Sequence, residues 1–254
     1  MQADGWTVTL LEAGTLPIEP TDIAPEGVFS GTVWAPVNVL LLRGHGSTVL
    51  VDAGSGPFVG VWPGLTDDLA GRLEAEGASP DLLVLTHFDF DHSGGLVTGT
   101  ASDELRPTFP GVTVLAPAEA LAEARAADAD DEGVPAQVVA TLDAAGLVEG
   151  YDGGAEPAPG LRLRSAPGHR LGHSVLEVGD SLVHVVDIVH DRLHVEHLEW
   201  DRTWDADPEV ALATRGSILG ELAERGSTVL ASHIAEPGRI ERVGDGLRWV
   251  SVDK

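Results

Sequence analysis

Thr86-His87-Phe88-Asp89-Phe90-Asp91-His92-Ser93-Gly94-Gly95 is the segment from which the architecture of this chain can be inferred. It follows an apolar run at residues 82–85 and carries four imidazole or carboxylate side chains within six residues, 87–92. At the C-terminal end of a strand such side chains form a dense donor set facing a crevice. The bland alternative is a polar turn leading into a helix capped by Ser93. Gly94 and Gly95 would let the backbone pass close to whatever the His and Asp side chains hold.

On the N-terminal side of this segment and leading into it, residues 6–11, 37–42, 48–52 and 82–86 read as strands, the last being continuous apolar sequence of the kind a sheet covered on both faces requires. A second set occupies residues 161–165, 174–178, 182–187, 228–232, 239–243 and 247–250, with tight turns expected at Gly179-Asp180 and Gly244-Asp245-Gly246. Helices are expected at 67–76, capped by Thr66 and stopped by Gly77, and at 135–145, ended by Gly146. Asp207 followed by Pro208 starts another that runs to Gly226, because Pro suits the first helical position. The Ala-rich segment 117–129 reads as a surface helix and the acidic segment 128–133 as a solvated loop. A Gly- and Pro-rich seam at 151–160 separates two β-α halves, about 1–150 and 151–254, expected to pack sheet to sheet as one domain with helices outside.

The 254 residues include no Cys, which excludes thiol catalysis, disulfides, iron-sulfur clusters and Cys-built zinc sites; any metal must be held by His, Asp or Glu. Lys and Arg number 15 against 41 Asp and Glu, a formal net charge of -26, and the sole Lys is Lys254. A field of that sign repels phosphate backbones and anionic membrane surfaces, so neither nucleic acid nor membrane is expected as a partner. The apolar runs are too short to span a bilayer, and the N-terminus lacks a basic segment leading into an apolar one. The expected protein is cytoplasmic with a small-molecule substrate; no pattern in the sequence fixes an oligomeric state.

Three further candidates stand at or just after strand ends: His169, Asp187 and His233. Singly they read equally well as a loop His, an edge Asp and a core His donating to a carbonyl. Joined to the 87–92 cluster they supply donors for two metal ions, and a buried Asp187 would need such a partner to stay ionised. His173 could line the cleft or orient its turn, His184 should pack in its sheet, and His194 and His197 could contact substrate. Phe58, Trp62, Phe88, Phe90 and Trp200 are candidates for an apolar pocket wall or for core packing. Asn38, Arg43 and His45 carry no separate signal of catalysis.

The order of the cluster, then His169, Asp187 and His233, resembles the metallo-β-lactamase fold superfamily, whose usual first motif is His-x-His-x-Asp-His. The resemblance runs from Asn38 to His233 and on towards Trp249, and Val51-Asp52-Ala53-Gly54 looks like a further family motif. It implies an α/β fold, a four-layer αββα sandwich of two mixed sheets, with a binuclear site at their edge. It also implies that His87, Asp89 and His169 hold one divalent ion, Asp91, His92 and His233 the other, and that Asp187 bridges them while Asp52 supports the site from behind. A metal-bound hydroxide would then attack a small ester, lactone or phosphotriester. The segments from Asp187 to Arg215 look most like the branch containing lactonases of quorum-sensing signals and organophosphate hydrolases, with Asp207 and Pro208 read as structural. Lactonases of that branch carry Tyr where this chain has His190, which could donate to substrate in its place or serve structure alone. Zinc is the ion expected first, but Asp89 stands where the common pattern has His, and iron-containing members that reduce oxygen or nitric oxide use Glu there, so iron or manganese is also possible. The alternatives are a non-haem iron or manganese oxidoreductase on the same fold and a noncatalytic metal-binding protein.

Overall fold

The computed structural model describes residues 1–99, 104–127, 133–200 and 202–252. Its strands are β1 (Gln2–Ala3), β2 (Trp6–Ile18), β3 (Val33–Gly44), β4 (Ser47–Val51), β5 (Leu82–Val84), β6 (Val97–Thr98), β7 (Arg106–Pro107), β8 (Thr113–Pro117) and β9 (Val148–Tyr151) in the first half. The second half contributes β10 (Leu161–Ser165), β11 (Ser174–Val178), β12 (Leu182–His184), β13 (Thr228–Ala231), β14 (Ile234–Val243) and β15 (Gly246–Ser251). The strands form one sheet in the order β1-β2-β3-β4-β5-β8-β9, a second in the order β10 to β15, and a small β6-β7 ribbon. Both large sheets are mixed: β4-β5, β5-β8, β8-β9 and β12-β13 pair parallel, and their other neighbours pair antiparallel.

Period-two alternation builds the layers. Leu40, Leu42, Val49, Val51 and Val84 turn inward and share a core with Leu161, Leu163, Leu176, Val178, Leu182 and Leu230 of the opposite sheet. Their neighbours Val39, Leu41, Leu50 and Leu83 face outward against Leu69, Leu73, Leu121, Val138, Val139 and Leu142 of three helices. On the far side Val175, Val183 and Val229 pack against Ile218, Leu219 and Leu222. The result is the αββα sandwich, with the sheets divided at the 151–160 seam.

Several local expectations change. β8 and β9 carry no alternation long enough to stand out and are held as strands by pairing with β5 and with each other. The helix expected at 67–76 spans Leu69–Ala75 and Thr66 does not cap it: Thr66 Oγ1 accepts from the Thr15 amide, and the Asp67 carboxylate takes the Leu69 amide. The 117–129 segment is helical at Ala118–Ala126, and its Ala120 and Leu121 are buried, so it is a packed layer helix with one wet face. Residues 128–132 of the acidic segment lie outside the described residues. Strand β12 stops at His184, three residues short of Asp187, which lies on a 3-10 turn, Val186–Ile188. No helix among the described residues is long and apolar enough to cross a membrane.

Candidate metal centre

The crevice lies where the two sheets meet at one edge, and its side chains come from loops at strand ends of both. His87 follows β5, and a single helical turn, Phe90–Ser93 with Asp89 as its N-cap, brings Asp91 and His92 alongside. His169 lies in the loop from β10 to β11, Asp187 just after β12, and His233 between β13 and β14. All seven side chains converge. Asp187 Oδ2 lies 3.7 Å from His87 Nε2, 3.3 Å from His92 Nε2, 3.5 Å from His169 Nε2 and 3.5 Å from His233 Nε2. Asp89 Oδ2 is 3.7 Å from His87 Nε2 and 3.5 Å from His169 Nε2, while Asp91 Oδ2 is 3.6 Å from His233 Nε2 and 4.0 Å from His92 Nε2.

Each imidazole is oriented by what its other nitrogen touches. His92 Nδ1 donates to Asp52 Oδ2 at 2.8 Å, His169 Nδ1 to Asp205 Oδ1 at 3.1 Å and His233 Nδ1 to the Pro36 carbonyl at 2.9 Å. Thr86 Oγ1 donates to the Asp52 carboxylate and lies 3.1 Å from His87 Nδ1, leaving its lone pair for that N–H. These outward bonds select the tautomer in which every Nε2 lone pair points into the crevice.

The inner atoms fit metal ions. His87 Nε2, His92 Nε2, His169 Nε2 and Asp187 Oδ1 are buried without a hydrogen-bond partner, a costly arrangement unless a cation takes the lone pairs. The compact donor groups include His87-Asp89-His169 and Asp91-His92-His233, each within 4.8 Å, and Asp187 joins His87 and His92 in another. Electrostatics point the same way. Burial disfavours an ionised Asp187, yet His92 and His233 hold its carboxyl well below the ordinary range. Burial likewise disfavours a charged His92, and Asp187, Asp52 and Asp91 raise it well above the ordinary imidazole value. The three inward carboxylates thus draw positive charge into the crevice.

His190 Nε2 lies 3.6 Å from Asp187 Oδ2, with its ring stacked on His233 at 5.3 Å. His173 orients the site: its Nδ1 donates to the Ala166 carbonyl, and its Nε2 accepts the Asp187 amide at 3.4 Å. His194 faces no substrate, being fully buried with Nε2 on the Ile23 carbonyl at 2.7 Å and Nδ1 on the His190 amide. His197 stacks on Trp200. Of the aromatic candidates Trp62 and Phe90 line the central cavity of about 110 Å³, joined by Trp204 and Leu16. Phe88 lines a neighbouring cavity of about 590 Å³, and Phe58 packs on the first-sheet core. A Cβ at Gly95 would lie 1.8 Å from the Ala53 carbonyl, so the close approach this glycine allows is to the loop carrying Asp52 rather than to a bound group.

Four supporting residues carry no sequence signature of their role. Asn38 Nδ2 donates to the Ala231 and Ile234 carbonyls, holding the His233 turn. Asp205 joins His169 to the buried Arg215. Arg215 also donates to the Ile188 and Leu198 carbonyls. Arg170 donates to Asp89. Of the four, Arg170 is next to His169 in sequence, and Asp205 and Arg215 lie in the segments that resemble the lactonase-like branch, but the pairing of Asp205 with His169 and Arg215 is not a local pattern.

Comparison with known proteins agrees with this geometry. A dizinc quorum-quenching lactonase, AidC, solved with a product N-hexanoyl-homoserine, is similar at a TM-score of 0.85 and 21% identity, covering 100% of this chain and 97% of that one. A hydrolase of the β-lactamase superfamily, AbOPH, is similar at 0.81 and 22% identity with the same coverage, 100% and 97%. A hydroxyacylglutathione hydrolase from Klebsiella pneumoniae subsp. pneumoniae is 30% identical over 134 residues, 53% of this chain and 39% of that enzyme, so the match spans well under half the relative's length. The family model of the metallo-beta-lactamase superfamily matches residues 32–233, a stretch that begins just before β3 and ends on the last crevice histidine, and this chain belongs to that superfamily.

Proposed function

We propose that this protein is a metal-dependent hydrolase of a small ester, lactone or phosphotriester that works with two divalent ions. His87, Asp89 and His169 would hold one ion, Asp91, His92 and His233 the other, and Asp187 both. Zinc is the first choice, with iron or manganese made competitive by the Asp89 oxygen. The observation that carries this reading is the inward convergence of imidazole Nε2 atoms on Asp187 while their Nδ1 atoms are tied outward. Bound ions would lower the pKa of a water and clamp the oxygen that gains charge during attack.

The chain's own residues do the remaining work. Asp52, Asp205 and the Pro36 carbonyl keep the imidazoles aimed. His190, beside Asp187 and against Trp204, donates a hydrogen bond to the substrate oxygen. Leu16, Trp62, Phe90 and Trp204 exclude water and receive an apolar part of the substrate. The likeness to lactonase and hydrolase structures supports the substrate class. The test is metal content of protein purified without added metal, combined with a panel of lactones, aryl esters and phosphotriesters before and after chelation. Two ions per chain are expected, with a turnover that chelation removes and zinc restores. Hydrolysis surviving complete metal removal would refute the proposal.

A further inference from the structure

Asp89 puts a carboxylate where the common first motif has a neutral imidazole, which by itself leaves one donor group with surplus negative charge. The neighbouring residue answers that surplus. The two Asp89 oxygens have separate tasks: Oδ2 faces His87 and His169 at 3.7 and 3.5 Å, whereas Oδ1 accepts from Arg170 Nε at 2.5 Å. Arg170 is itself fixed, its Nη1 donating to the His169 carbonyl at 2.9 Å and to the Trp204 carbonyl. A lysine could match the charge but not the fork that reaches a carboxylate and two carbonyls at once.

We infer that Arg170 is a positioning residue for the ion between His87, Asp89 and His169, acting through Asp89 by restricting it to one inward oxygen and offsetting its charge. This rests on the proposed metal centre. With Arg170 in place the group presents two imidazoles and one oxygen at close to the net charge of an all-imidazole group. Without it Asp89 is free to turn both oxygens inward at full charge, an environment that favours harder, oxygen-seeking ions such as manganese over zinc. The Trp204 contact offers a different role, in which Arg170 merely pins the loop over the cavity. That role has nothing to do with Asp89, and a double substitution separates the two.

The experiment uses apoprotein of the wild type, Arg170→Ala, Arg170→Gln, Asp89→His and the double variant Asp89→His/Arg170→Ala, each checked for a cooperative thermal transition. Zinc and manganese are titrated separately against a chromophoric chelator, with manganese also followed by electron paramagnetic resonance. Arg170→Ala should raise the preference for manganese over zinc by about tenfold or more, because the freed second Asp89 oxygen adds a hard donor, whereas the lost charge acts on both dications alike. In the Asp89→His background the same removal should leave the preference within about twofold, the coupling having lost its partner. Arg170→Gln carries the same expectation if Arg170→Ala does not fold. With a wild type that binds two ions, an unshifted preference in Arg170→Ala, or an equal shift in both backgrounds, overturns the inference alone. A wild type that takes up neither metal overturns the metal reading and this inference with it.

Discussion

At Asp187 one carboxylate oxygen meets the Nε2 atoms of His87, His92, His169, His190 and His233 within 3.7 Å, while the other oxygen is buried without a partner. Asp187→Asn preserves shape but removes the charge that would hold both ions. It should weaken metal uptake by at least about a hundredfold, the upper range seen for mere outer partners of a metal site. Full metal stoichiometry measured on purified Asp187→Asn would reject the bridging role. His190 is expected to act on substrate, so His190→Ala should slow turnover by about ten- to a thousandfold with both ions retained. Steady-state kinetics beside metal counting decide this, and loss of metal would instead make His190 part of the scaffold. His184 behaves differently: it is fully buried, and burial, outweighing the opposing pull of Asp52 and the Leu230 backbone, lowers its pKa from 6.5 to about 4. Between those values the unfolded chain takes up a proton that the folded chain refuses, so stability present above pH 6.5 is lost as pH falls towards 4. Urea unfolding should find the wild type losing about 2 kcal/mol more than His184→Leu between about pH 7 and about pH 5. Parallel curves for the two proteins would exclude this source of acid sensitivity.

The elements aim these residues through their ends. Asp207 caps the Pro208–Arg225 helix by accepting the Val210 amide, and its own amide donates to the Gly168 carbonyl. The Ala206 amide donates to the His169 carbonyl, so the helix start is seated on the loop carrying His169. Gly168 makes that seat possible: at φ 120°, a Cβ there would fall 2.2 Å from the Ala211 nitrogen. From inside the same helix Arg215 reaches the Ile188 carbonyl next to Asp187, the Leu198 carbonyl, and Asp205 behind His169. Arg215→Met should cost about 3–5 kcal/mol, because it leaves a buried Asp205 carboxylate without its cation. It should also weaken zinc binding, since Asp205 orients His169. Denaturant unfolding and chelator competition on one preparation test both, and unchanged stability would disprove the tie. Val186, at φ 56°, shows what the turn after β12 demands. A β-branched residue in the left-handed region is strained, and here it swings Asp187 out of strand direction into the crevice.

For the whole molecule, the core between the sheets draws Leu40, Leu42, Val49 and Val51 from one half and Leu161, Leu163, Leu176 and Leu230 from the other. Separating the halves would expose both inner faces to water at roughly 25 cal/mol per Å² of apolar surface. It would also divide the crevice, leaving Asp91 and His92 without His169, Asp187 and His233. Fragments 1–150 and 151–254 should therefore each lack cooperative unfolding when expressed alone. Circular dichroism melts of the separate fragments check this, and a sharp transition in either would mean that the half folds by itself.

The strand and helix pattern, the division at the 151–160 seam and the donor cluster at 87–92 were legible because each is a property of consecutive residues. Alternation, a Pro after a capping Asp, and crowding of His with Asp are all local. Even so, the pattern overran at β12 and missed β8 and β9, where neighbouring strands rather than periodicity decide the pairing. The supporting contacts were illegible for a different reason. Asp205 is 36 positions from His169, Arg170 is 81 from Asp89, and Asn38 is 196 from Ile234. A carboxylate, guanidinium or amide has the same composition wherever it stands, and its partner is chosen only when packing removes water and leaves it one group within hydrogen-bond reach. Which side chains have donors suited to a metal follows from their identity along the chain, whereas how each imidazole is turned and why the Arg170 guanidinium stands behind Asp89 follow only from the packing of the two sheets around the crevice.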